Sequence, residues 1–199
     1  MLAAVASAVL TGCGTNGLTA SPPPAGSSAT STSTPPAAET NPAATGSPAT
    51  GSVPIDESLR AHLPESVDGL PLMAAPESDA EVARVPEVVA NGEAVLTALV
   101  ADPANEFAHV QLIRLKPDRF SDAFFRSWRD SFDEGFCAQA GGVEGTAEAP
   151  IGDRIVFITT CAGGARAYHT WLESSRVLVA VSSVGERRLG EQLLEGLQE

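Results

Sequence analysis

Lysine is almost missing from this chain. Lys116 is the single one among 199 residues, and the other basic residues are arginines. Twelve basic side chains stand against 25 acidic ones, a formal net charge of −13. That sign excludes nucleic acid as a main partner, because phosphate binding needs a cationic surface. No apolar run approaches the roughly 20 residues that a helix needs to span a bilayer. There is no Gly-x-Ser-x-Gly elbow of a hydrolase and no glycine-rich phosphate loop with its lysine. No second cysteine pair sits at zinc-site spacing. Internal repeats are also lacking, so the motifs name no reaction, no cofactor and no metal.

What is present begins with a short apolar run, residues 2–10, that ends in Leu10-Thr11-Gly12-Cys13. The run is too short for a span and matches the apolar core of a secretory signal. The four residues at its end resemble the lipobox of bacterial lipoproteins: an aliphatic residue, two small ones and a cysteine. The resemblance implies that residues 1–12 are a signal peptide, that the Cys13 thiol carries a diacylglyceryl group, and that cleavage leaves Cys13 first in the mature chain. Two or more acyl chains give stable anchoring where one does not. The basic residue that opens such signals is missing here, so the natural start is expected upstream or trimmed.

Residues 14–54 contain 8 Pro, 8 Ala, 7 Ser, 8 Thr and 5 Gly, with Leu18 and Val53 as the large aliphatics and Glu39 as the one charge. Such a composition cannot bury enough apolar area to offset its ordering entropy, so a disordered tether is expected. As a coil it would reach on the order of 35 Å. Its Ser, Thr and Pro would also suit O-linked sugars, although a plain linker explains the composition equally well.

Residues 55–199 are expected to form one domain with one core. A loose lead-in with a short strand at 70–73 precedes a helix over 78–90, capped by Ser78 and strained by Pro86. Strands follow at 94–101 and 107–116. The clearest helix spans 119–135, with Asp118 as its N-cap. Phe120, Phe124, Trp128 and Phe132 recur every four residues, with Phe125 beside them, and this stripe reads as a core face. Asp122/Arg126, Arg126/Asp130 and Arg129/Asp133 read as i,i+4 ion pairs on its solvated side.

A three-strand meander is expected at 154–161, 165–173 and 176–184, turning at Gly163-Gly164 and Ser174-Ser175. Counting from two-residue turns puts Ile155, Phe157, Thr159 and Cys161 on the face of Tyr168, Thr170, Val179 and Val181. This more apolar face is assigned to the helix-covered core. His169 and Trp171 then share the other, outer face with Leu178 and Ala180, opposite to Cys161. A one-residue slip would reverse the assignment. A last helix over 186–197 carries Leu189, Leu193 and Leu197. The fold class is therefore α+β: an antiparallel sheet with one face covered by an aromatic-rich helix and a C-terminal helix.

In an exported domain Cys137 and Cys161 are expected to form a disulfide. His62 reads as solvated. His109 and His169 could meet as two ligands or as a base and its partner if their strands present them on one face, but a structural role is the commoner fate of such residues. Ser182 and Ser183 are the conceivable hydroxyl partners. Glu144, Glu148 and Asp153 read as an acidic rim rather than a cation site. His169, Trp171 and His109 form the candidate ligand face.

The whole plan of lipobox, Pro/Thr/Ser/Ala tether and one small α+β domain resembles exported lipoproteins of high-GC Gram-positive bacteria. Over residues 70–197 the order of elements loosely resembles PsbP-like lipoprotein domains. That resemblance implies a binding or assembly module and transfers no residues. The expected protein is anchored to the membrane through Cys13 on its extracytoplasmic side. It is expected to be non-enzymatic and to bind an envelope ligand or protein partner. An envelope hydrolase using His169 or His109, and an accessory subunit of a transport or secretion complex, are the alternatives.

Overall fold

In the computed structural model, residues 51–199 are described; Cys13, the signal 1–12 and tether residues 14–50 lie outside them. Val53, two residues before the expected boundary, already belongs to the domain. Its N–H donates to the Ala83 carbonyl at 3.0 Å, and its side chain is buried. A 3-10 helix, Glu57–His62, follows, then strands β1 (Ser66–Val67), β2 (Leu70–Pro71) and β3 (Met73–Ala74). The expected helix over 78–90 is two helices, α1 (Pro76–Val82) and α2 (Pro86–Asn91). Pro86 starts the second rather than bending the first, because a missing N–H costs nothing at a helix's first position.

Strands β4 (Gly92–Ala101) and β5 (Phe107–Leu115) come next, then α3 (Asp122–Ala138). The α3 N-cap is Ser121, whose hydroxyl accepts from the Phe124 N–H at 3.1 Å. Asp118, the expected cap, sits in the preceding turn at φ 60°. After α3 come β6 (Val143–Ile151), β7 (Arg154–Cys161), β8 (Arg166–Leu172), β9 (Val177–Val184) and α4 (Leu189–Glu195). The meander thus has a fourth strand, β6. Its Ala, Gly and Glu residues gave no strand signal, and as an edge strand it is exposed along nearly its whole length.

The class is α+β as expected. One antiparallel seven-stranded sheet runs in the order β3-β4-β5-β9-β8-β7-β6. Central strand β9 is buried from Val177 to Ser183. Such a continuous apolar run marks a strand covered on both faces, and the helices divide the two faces instead of sharing one. Leu189, Leu193, Leu194 and Leu197 pack with Val177, Val179, Val181, Tyr168 and Leu172. Phe125 and Trp128 of α3 pack with Leu178, Ala180, Val95 and Ile113 on the other face, where Val82 and Val88 of α1 and α2 join them. Each fully buried leucine of α4 contributes about 1.5–3 kcal/mol. Gly190 lets α4 approach closely, since a Cβ there would stand 2.8 Å from the Tyr168 ring and 2.9 Å from the Ser183 side chain.

The β8–β9 register is the expected one, with Leu172 opposite Val177. The β7–β8 register is slipped by one residue. Thr159 stands opposite Ala167, and Phe157 opposite His169. The cause is the turn. Cys161 N–H donates to the Ala165 carbonyl and Gly164 N–H to the Cys161 carbonyl, both at 2.8 Å. The loop therefore holds three residues, Ala162, Gly163 and Gly164, with Gly164 at φ +81°. Three-residue hairpins place a glycine in that left-handed position. One extra residue turns every side chain of β7 over. Phe157, Thr159 and Cys161 consequently face α3 together with His169 and Trp171, and the face assigned to the aromatic helix belongs to α4.

Candidate functional site

The slip brings Cys161 and His169 to one face and creates a sealed polar node under α3. Asp133, on the inner side of the helix, is buried. One carboxylate oxygen accepts from the Thr159 hydroxyl at 2.5 Å and the other from His169 Nε2 at 2.6 Å. An ionised carboxylate only accepts, so Nε2 carries the proton. The imidazole is fully buried, and the Trp128 and Phe132 rings pack against it edge to face at 5.4 and 5.1 Å. Its Nδ1 has no partner among the described residues. One helical turn beyond Asp133, Cys137 is disulfide-bonded to Cys161, two residues beyond Thr159, with their Cα atoms 5.1 Å apart. The expected pairing of these cysteines is therefore present. The expected Arg129/Asp133 ion pair is not: Arg129 binds its neighbour Asp130 at 2.9 Å, because Asp133 points inward. His169 thus holds α3 to the sheet and presents nothing to a ligand.

His109 lies on the same face, as the sequence allowed, but in another row. Across the sheet His169 aligns with Ala180 and Gln111, whereas His109 aligns with Ser182 and Ala167. The two histidines are two strands and one row apart and do not form one site. Ser182 stands opposite His109, yet His109 Nε2 is buried without a hydrogen bond. Ser183 faces α4. Burial pushes the His109 pKa below its ordinary 6.5, partly opposed by the Asp79 carboxylate. Asp79 itself is occupied, accepting from the Thr97 N–H at 2.5 Å and the Thr97 hydroxyl at 2.8 Å.

A pH dependence follows. With its folded pKa below the unfolded one, His109 leaves stability intact above about 6.5 and lowers it as pH falls through the folded value. Between about pH 7 and pH 5, the drop in urea midpoint should therefore be larger for wild type than for His109→Gln. Equal drops would show that the imidazole stays neutral or is equally free in both states.

Trp171 marks a true opening. The β7–β8 ladder stops at Phe157–His169. Beyond it the Thr170 hydroxyl donates to the Ile155 carbonyl at 3.1 Å. At this end of the sheet lies a cleft of about 660 Å³ between the start of α3 and strands β6 and β7. Phe120 stacks on Trp171 with ring centroids 4.2 Å apart and planes 13° apart. Phe125 meets Phe157 edge to face at 5.4 Å, and the Arg129 guanidinium lies 4.5 Å over the Phe157 ring. Asp122, Arg126 and Glu148 complete the walls, and Ile155 at the rim is 57% exposed. Size and lining suit a small-molecule site. Of the three residues expected to form a ligand face, Trp171 alone lines this cleft. Arg126 and Arg129 escaped sequence reading because their spacing to acidic residues mimics a solvated ion-pair face.

A second groove of about 460 Å³ lies between α1–α2 and α3, walled by Val85, Val88, Trp128 and Phe136 over a floor of Gln111 and Ser182. Among the described residues no three His, Cys, Asp or Glu side chains converge as metal ligands. Asp153 is taken by Arg154 at 2.9 Å. His62, read as solvated, is half-buried and clasps the C-terminus, its Nδ1 3.0 Å from the Gln198 carbonyl. No described helix is long and apolar enough to cross a membrane. No family model, curated protein or solved structure matches the sequence.

Proposed function

We propose that this chain is a membrane-anchored, extracytoplasmic lipoprotein whose domain binds an envelope ligand or partner without transforming it. The observation that carries the reading is the open aromatic cleft at Trp171, held on a sheet covered on both faces. Rigid walls suit binding, because little ordering entropy remains to be lost on association. The Cys137–Cys161 bond supports an oxidising compartment. The lipobox ending at Cys13 supplies the address. The hydrolase alternative draws on Ser182 opposite His109, but neither histidine offers a hydrogen-bonded base in the cleft. The accessory-subunit alternative calls for a large flat apolar surface, whereas the exposed large hydrophobics are scattered singly along the described chain.

The test is made in cells. A fatty-acid label should enter the wild-type chain and not Cys13→Ala; equal labelling removes the anchor. A photo-crosslinking residue in place of Ile155 should capture an envelope component, and Trp171→Ala should abolish the adduct. An adduct indifferent to Trp171, or none, removes the binding role.

A further inference from the structure

The cleft at Trp171 carries a charge pattern that the overall composition hides. The chain has a net charge of −13, yet two arginines of α3 line one wall of this single cleft. Arg126 is exposed and makes no ion pair within 4.0 Å among the described residues, although Asp122 lies one turn before it and Asp130 one turn after. Arg129 is mostly covered. Its guanidinium is fixed in place by the Phe157 ring beneath it and by Asp130 beside it. Its Nε and Nη2 already donate to Asp130, so Nη1 is its remaining free nitrogen, while the unpaired Arg126 keeps the planar fork that matches a carboxylate. A third arginine, Arg154, also borders the cleft, but its guanidinium is committed to the carbonyls of Leu194 and Leu197 at 3.0 and 3.4 Å. With Asp153 paired to it at 2.9 Å, it offers neither a free donor nor an unbalanced charge.

The opposite wall carries an unpaired acid. Glu148 of β6 stands across the ladder from Phe157, and nothing among the described residues neutralises it by an ion pair within 4.0 Å. Between the two walls the surface is apolar: the stacked Phe120 and Trp171, and the exposed Ile155. A ligand in this cleft meets two guanidinium groups and the Asp122 carboxylate on the helix side, the Glu148 carboxylate on the strand side and a hydrophobic floor between them.

We infer that the cleft is a binding site for an organic carboxylate with a flat apolar body. The body lies on Trp171 and Ile155, and the carboxylate points to Arg126 and Arg129, away from Glu148. This rests on the binding-module reading and adds the ligand's chemical class to it. Arg126 and Glu148 must then act with opposite sign on one ligand, which an indiscriminate sticky patch cannot do.

The experiment is a calorimetric titration of the purified full-length chain with 2-naphthoate and with its neutral counterpart 2-naphthylmethanol. Both Arg126 and Glu148 are exposed, so their replacement leaves the core untouched. The acid is expected to bind roughly tenfold more tightly than the alcohol, the increment of a charge-assisted hydrogen bond. Arg126→Gln should erase that difference, Glu148→Gln should enlarge it, and neither should change binding of the alcohol. Equal binding of acid and alcohol, or an acid affinity indifferent to Arg126, overturns the inference while leaving an apolar binding site. Binding of neither probe at millimolar concentration overturns it as well. The binding-module reading falls separately, on the missing crosslink at position 155.

Discussion

Replacing Asp133 by Ala is expected to cost about 2–6 kcal/mol, that is about 1–3 for each of the two buried donors left without an acceptor. The loss is large because the carboxylate accepts from two donors in a place that water does not reach. His169 Nε2–H and the Thr159 hydroxyl would both be left without acceptors. His169 already lacks a partner at Nδ1, so no spare hydrogen bond is present to compensate. Asp133→Asn should cost less, about 1–3 kcal/mol, since the amide oxygen serves one donor and its NH₂ opposes the other. Replacing Asp133 and His169 together by leucine should recover much of the loss, because the polar demand disappears from both sides at once. Urea unfolding measures all three. A cost below about 1 kcal/mol for Asp133→Ala would mean that water enters the node and that α3 is not held by it.

Loss of the disulfide is expected to be the second large effect. Cys137 and Cys161 are 24 residues apart. Opening a loop of that size costs about 3.5 kcal/mol in the chain-entropy account. The Cys137→Ser/Cys161→Ser chain should lower stability by that amount, and non-reducing alkylation of the wild-type chain should find neither thiol free. Two alkylatable thiols at these positions in the wild-type chain would show that the bond is not made. The two effects should also couple. Asp133 and Cys137 lie one turn apart on α3, and Thr159 and Cys161 two residues apart on β7, so both devices hold the same helix to the same strand. Once one is lost, the other restrains a helix already loosened. A double-mutant cycle should then show roughly 0.5–3 kcal/mol of non-additivity. Strict additivity would indicate that the two devices restrain independent parts of the domain.

The elements that sequence reading placed well are those whose periodicity is set by their own residues. The aromatic repeat of α3, the leucine repeat of α4 and the apolar runs of β4, β5 and β9 need no distant information to be recognised. Strand β6 was missed because an edge strand open to solvent needs no apolar alternation. The candidate site fared worse for a different reason. Gly163-Gly164 reads as a two-residue turn, yet the hairpin closes one residue earlier, at Cys161 and Ala165. A local glycine pair shows that a turn exists and leaves its length open. That single residue turned β7 over and put Cys161, with the helix bonded to it, on the face of His169.

The charged residues of α3 show the same division. Arg126, Arg129, Asp130 and Asp133 have the spacing of a solvated helix surface, and helical periodicity cannot tell which charge turns inward. Asp133 does so because the slipped strand brings a hydroxyl and an imidazole beneath it. Arg129 turns away to lie over Phe157 for the same reason. The sequence by itself determined the α+β class, the cysteine pair available for bonding and the helices that would bury apolar faces, because composition and periodicity are properties of neighbouring residues. Only the tertiary structure decided which sheet face each helix took, which acid became a buried acceptor and which aromatics opened onto a cleft. Those outcomes depend on strand register, and register is settled by the joint packing of residues far apart in the chain.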